Sequence, residues 1–208
     1  SPGRPTGYFS PSNIIAVGAY RYAFVFAEAY EAQRRGPCLL RTERIDDPAA
    51  WRAWDGRDFT IAFVDPYRGA VAKPDAHVCA PIPGIGSTVG AVVRQTGSGA
   101  FIAVTAAVRA ERSGEPPVPG IWYATSRDLV RWSPLRLLMK APLMFAFGCG
   151  DKEVFAYPSL LDPDSPSRNF DTVGEHAFLY LTRFNMTDCK LPMNRDLVRY
   201  KVTIDRTP

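Results

Sequence analysis

Apolar and polar residues alternate along much of the chain. In Tyr20–Tyr30 (YRYAFVFAEAY), Tyr20, Tyr22, Phe24 and Phe26 fall on one side, and Arg21, Ala23, Val25 and Ala27 on the other. A period of two belongs to a β-strand, and aromatic residues opposite small ones suit a strand lying between two layers. Similar reasoning predicts strands at Tyr8–Ile15, Cys38–Thr42, Phe59–Val64, Thr88–Arg94, Phe101–Val108, Ile121–Ala124, Phe155–Asp162, Ala177–Phe184 and Leu197–Ile204. Gln95 to Gly99 (QTGSG) reads as a hairpin turn between two of these. Asp47-Pro48 resembles a helix start, which predicts one helical turn before an outer strand ending at Trp54.

Echoes organise these strands. Gly120 to Ser133 (GIWYATSRDLVRWS) reads as a strand, a polar turn at Ser126-Arg127-Asp128, and a second short strand through which Leu129 and Trp132 rejoin the apolar layer. A similar phrase runs from Asn194 to Tyr200 (NRDLVRY): Asp128 and Asp196 are 68 positions apart, as are Trp132 and Tyr200. A looser copy lies at Thr42 to Trp51. Pro11-Ser12 returns as Pro158-Ser159, 147 positions later. Three four-stranded units follow, at about 8–54, 85–139 and 155–204. Four-stranded sheets arranged radially make a β-propeller, which closes with about 4–8 blades. The expectation is therefore an all-β, single-domain propeller with three visible blades of a five-bladed ring. Further blades N-terminal to Ser1, or a further chain, would complete it. A two-sheet sandwich or jelly-roll lectin is the rival architecture.

Composition narrows the picture. Nineteen Pro and sixteen Gly favour short strands and many turns over long helices. The net charge is +4, but the arginines are scattered, so no nucleic-acid face is expected. No apolar run approaches the ~18 residues of a membrane span. Cys38, Cys79, Cys149 and Cys189 form no CxxC pair, which argues against zinc. They leave either two disulfides, with three connectivities open, or four buried thiols. A secreted or periplasmic setting is expected. His77 and His176 have no ligand spacing, and no metal or cofactor is expected. Asn185-Met186-Thr187 matches a glycosylation sequon.

The Ser126-Arg127-Asp128-Leu129-Val130-Arg131-Trp132 phrase after Trp122-Tyr123-Ala124 resembles the blade ending of five-bladed glycoside hydrolases of families 43, 62 and 32. Tyr157-Pro158-Ser159-Leu160-Leu161-Asp162 and Ser10-Pro11-Ser12-Asn13-Ile14-Ile15 resemble their blade openings. The resemblance implies a carbohydrate-active protein that cleaves a glycosidic bond with paired carboxylates in a central funnel. One carboxyl assists the leaving oxygen while the other activates water or attacks. A non-catalytic propeller that binds glycan or protein is the alternative.

Polar residues on the opening strands are the first site candidates: Ser12, Asn13, Ser87, Tyr157, Ser159 and Asp162. Glu28, Glu153 and Asp162 are the carboxylates named for catalysis, although strand-end acids and turn caps are the ordinary roles of such residues. Asp65, in an Asp-Pro element, and Arg41 and Arg183, at the ends of apolar strands, are candidate sugar contacts. Arg168 and Asn169 lie in a polar loop. Trp54, Tyr67 and Trp122 could stack on a sugar, but Trp122 and Trp132 suit a blade core better. Asp128 and Asp196 read as structural turn residues.

Overall fold

The computed structural model describes residues 7–64, 72–85 and 88–205. Its regular elements are fourteen strands and two 3₁₀ turns, grouped in three sheets. Asp65, Tyr67 and Ser87 lie outside the described residues.

The first sheet holds β1 (Tyr8–Phe9), β2 (Ile15–Val17), β3 (Tyr20–Ala27), β4 (Gly36–Thr42), β5 (Arg52–Trp54) and β6 (Phe59–Ile61). β1 and β2 both pair with β3, so the strand expected at Tyr8–Ile15 is broken in two. The helical turn expected after Asp47 is the 3₁₀ segment Pro48–Ala50, capped by Asp47 Oδ1 accepting from the Ala49 amide. Asp55 shapes the β5–β6 turn. Its carboxylate accepts from the Thr60 hydroxyl and from the Asp58 and Arg57 amides, which hold its pKa down at about 2. Because the folded value is depressed, Asp55 supports the fold fully above about pH 4, its unfolded pKa. That support is lost as the pH falls through about 2. Asp55→Asn should therefore flatten the acid limb of a pH–stability curve over this window.

The second sheet runs β10 (Arg136–Lys140), β9 (Val118–Ser126), β8 (Phe101–Arg109), β7 (Val89–Gln95) and β12 (Thr172–Val173). β12 comes from the third unit and pairs parallel to β7. The third sheet has three strands where four were expected: β11 (Glu153–Leu161), β13 (His176–Asn185) and β14 (Arg195–Thr203).

The second sheet is packed on both faces. Phe24, Leu39 and Ile15 meet Val92, Phe101 and Leu129 on one side. Val93, Ile102 and Val104 meet Leu160 and Ala177 on the other. Burial on two faces explains why β8 is buried continuously from Phe101 to Ala107 without alternating polar residues. Trp122 is fully buried in β9, its Nε1 donating to the Ala107 carbonyl at 3.1 Å. Trp122→Ala should cost about 3–5 kcal/mol, visible as an earlier denaturant midpoint.

The turn phrase is corrected. Residues 129–132 form no outer strand; the outer strand is β10. Leu129 and Trp132 enter the first core from a turn, with Trp132 Nε1 donating to the Leu129 carbonyl and its ring edge-on to Phe24. The 68-residue echo is not a blade equivalence. Asp128 caps that turn, while Asp196 sits within β14 opposite Arg183. Trp51 closes the 3₁₀ turn and Tyr200 lies mid-strand in β14, so the three echoed aromatics occupy different settings.

The 147-residue echo has a structural counterpart. Ser10 (φ +50°) and Tyr157 (φ +54°) each adopt the left-handed conformation directly before Pro. This is uncommon for non-glycine residues and more so before proline. The break between β1 and β2 and the register shift between Ala156 and Ser159 in β11 both fall there. β7 shifts register at the matching place, Gly90, against which Pro158 packs.

Two disulfides join Cys38 to Cys79 and Cys149 to Cys189, with Cα–Cα distances of 5.9 and 4.5 Å. Among the described residues, no helix is long and apolar enough to cross a membrane.

Candidate functional site

The kinked opening strands position most of the polar candidates, and their hydrogen bonds separate scaffold from surface. Ser12 is committed to the fold: its hydroxyl accepts from the Phe24 amide and donates to the Asn13 carbonyl. The Asn13 side chain clasps the backbone of β7, donating to the Val92 carbonyl and accepting from the Val92 amide, both at 2.8 Å. Asn13 therefore ties the first sheet to the second.

The three named carboxylates are already engaged. Glu28 closes β3 and pairs with Arg35 at 3.2 Å. Glu153 opens β11 and pairs with Arg183 at 2.9 Å. Asp162 is 8% exposed, and its two oxygens accept from the amides of Asp164 and Gly174, pinching the base of the 162–174 loop. Glu153 and Asp162 stand nine positions apart along one strand direction. At about 3.3 Å per residue, they are roughly 25–30 Å apart. Paired glycosidase carboxylates stand about 5–9.5 Å apart. Glu28 directly follows β3 of the first sheet, and the first sheet and β11 meet opposite faces of the second.

Arg183 forms a surface network of its own. It bridges Glu153 and Asp196, and Asp196 also accepts from Asn185 at 2.9 Å. The bonds from Asn185 and Arg183 hold the Asp196 carboxyl below its usual range, and the bond to Asp196 raises Arg183. Arg41 lies between the rings of Tyr20 and Phe59, 4.3 Å from each centroid, with Asp58 at 3.6 Å. Its partners are internal. Arg168 and Asn169 are exposed in the 162–174 loop.

The candidates Tyr157 and Ser159 lie on the third sheet, beside an accessible face. Tyr157 is 61% exposed at its kink. Ser159 lies opposite Tyr180, which lies opposite Arg199 on β14. The Arg199 guanidinium sits 4.4 Å from the Phe178 ring and donates to the Tyr180 hydroxyl at 3.4 Å. The structure thus brings the candidates Tyr157 and Ser159 onto the strand that adjoins Tyr180, Phe178 and Arg199. The last three were missed in the sequence. The alternation of AFLYLTRF places Phe178 and Tyr180 on one face, but their pairing with Arg199 depends on register.

A second unforeseen residue is Asp171, only 3% exposed. Its carboxylate accepts from the Ala16 amide at 2.7 Å and from the Ser167 hydroxyl. Its carbonyl accepts from the Arg94 amide. The loop carrying Asp171 therefore reaches from the third sheet across β7 to the first. Asp171→Ala would remove the bonds to its charged carboxylate and should cost about 1.5–3 kcal/mol, read as a lower unfolding midpoint.

Comparison with known proteins adds coarse likenesses. A solved structure from the GH130 family of mannoside phosphorylases, described as containing glycoside hydrolases that target β-1,2-mannosidic linkages in Candida mannan, aligns at 13% identity and a TM-score of 0.42. That alignment covers 95% of this chain and 49% of the other, so this chain spans about half its length. An endo-1,4-β-xylanase from Bacteroides thetaiotaomicron aligns at 13% identity and a TM-score of 0.38, covering 97% of this chain and 70% of the other. No protein-family model matches the chain, and no curated protein matches it. Among the described residues, no group of three or more His, Cys, Asp or Glu is arranged to hold a metal.

Proposed function

We propose that the chain is part of a carbohydrate-active, glycoside hydrolase-like β-propeller, and that its described residues bind a glycan without supplying the cleaving pair. The observation behind this reading is the separation and prior engagement of Glu153 and Asp162. A glycosidase needs one protonated and one ionised carboxyl facing each other across a single bond. These two cap opposite ends of one strand. Tyr157, with Ser159, Tyr180 and Arg199 nearby, offers a sugar what it needs: aromatic surface for its C–H face and donors for its hydroxyls. A left-handed conformation at an exposed tyrosine is the kind of local strain that clusters at binding sites.

Titration with a panel of oligosaccharides tests the reading. Wild-type protein should bind at least one glycan, and Tyr157→Gly should weaken it about tenfold. Glycine accepts the left-handed conformation, so the variant should keep its stability or gain up to about 1 kcal/mol. Binding lost without stability lost assigns the ring to the ligand. Hydrolysis of aryl-glycosides that disappears in Glu153→Gln, Asp162→Asn or Glu28→Gln would overturn the reading in favour of a cleaving enzyme.

Leu197, 74% exposed beside Thr182 on the same sheet, favours a second reading. In it, this face seats a further sheet or chain that continues the propeller. Leu197→Asp would then change the sedimentation of any assembly. A monomer indifferent to the substitution would exclude the assembly.

A further inference from the structure

A cleft of about 700 Å³ opens between the second and third sheets, away from Tyr157. Its floor is apolar. Ile102 and Val104 of β8, Leu138 of β10, Leu160 of β11 and Val202 of β14 line it, and they belong to the core shared by the two sheets. Its far wall is held by Gln95, whose Nε2 donates to the Ile204 and Asp205 carbonyls. The rim is cationic, with Arg127, Arg131 and Arg136 all lining the opening.

Two acids share this lining, Asp128 and Asp205. Asp128 is occupied: its Oδ1 accepts from the amides of Arg131 and Val130 and from the Ser126 hydroxyl. Its other oxygen is 3.9 Å from Arg131 Nε. Arg127 donates through its guanidinium to the Ser98 carbonyl, which holds that head at the rim. Three guanidinium groups against two acids leave a positive opening above an apolar floor. Guanidinium forks match planar oxyanions, and a site of this volume suits a small organic ligand.

We propose that this cleft binds a medium-chain carboxylate, with its alkyl chain along Ile102, Leu138 and Val202 and its carboxylate at Arg131 and Arg136. Tyr123, Thr125, Ser126 and Thr203 also line the cleft; the apolar floor together with the excess of guanidinium groups is what favours an amphiphilic anion over a sugar. The site is independent of the glycan face around Tyr157.

Calorimetric titration with dodecanoate below its micelle threshold tests the assignment. Dodecyltrimethylammonium, with the same tail and the opposite charge, and acetate, with the charge and no tail, serve as comparisons. Dodecanoate should saturate one site and bind at least tenfold more tightly than either. Its affinity should fall as salt is raised, since the rim is exposed. Arg131→Gln/Arg136→Gln should weaken dodecanoate about tenfold and leave the cationic amphiphile unchanged or improved, with the wild-type melting curve retained. Were that variant to unfold early, the wild-type contrast between the two headgroups would decide alone. Equal affinity for both headgroups, no saturable binding of dodecanoate, or undiminished binding by a folded double variant would overturn the proposal.

Discussion

Gly90→Ala is expected to unfold the protein well below the wild-type melting temperature. A Cβ built at Gly90 would lie 2.1 Å from the Pro158 carbonyl oxygen and 2.9 Å from Pro158 Cγ. The first of these is backbone, so no side-chain rotation relieves the contact. β7 and β11 would have to move apart, opening the shared core of Val93, Ile102 and Leu160. Overpacking of this kind costs roughly 3 kcal/mol or more, a large share of the ~5–15 kcal/mol that holds a typical domain together. For a chain of this length, a fall in melting temperature of about 6–12 °C follows. Gly150→Ala is the matched control, because a Cβ there meets nothing within 4 Å. A Gly90→Ala protein that melts with wild type would show that β7 and β11 are not seated as described.

Removal of the Cys38–Cys79 bridge should have a comparable effect. Cys38 lies in β4 and Cys79 on the strap that covers the outer face of the first sheet; both are buried. The bridge closes a separation of 41 positions, and on the chain-entropy view a loop of that size is worth about 4 kcal/mol. Gln33 secures the same strap: its Oε1 accepts from the Cys79 amide and its Nε2 donates to the Cys79 carbonyl. Tyr8 completes the clamp by donating to Gln33 Oε1, and burial pushes its phenol up to about 12. Cys38→Ala/Cys79→Ala should therefore lower the urea midpoint while Gln33 still holds the strap in place. Reductant should bring wild type toward the variant. An unchanged midpoint in the double variant would remove the bridge from the stability of this sheet.

The strands were legible because most of them bury one or both faces, and burial imposes a period of two or a continuous apolar run. β3, β8 and β13 could all be read this way. β10 could not. Its RLLMK sequence is short, and Leu129 and Trp132 just before it carry the apolar signal of a strand while filling a core from a turn. β12 was hidden for a different reason: two residues acquire strand geometry only through a parallel partner 78 positions away, as Thr172 meets Arg94. The paired phrases containing Asp128 and Asp196 show how similar residues meet different physical needs, one capping amides and the other answering Arg183 across a register. The candidate site was partly legible for the same reason. Tyr157 and Ser159 stood out beside a proline, but which carboxylates were already engaged depended on partners such as Arg183, 30 positions from Glu153, and Gly174, 12 positions from Asp162.

The reach of Asp171 to the Ala16 amide spans 155 positions. During synthesis the ribosome would release the whole first sheet long before its last clasp exists. The amino-terminal strands must wait, incompletely sealed, until the loop after β11 has been made. A segment made late thus locks one made early.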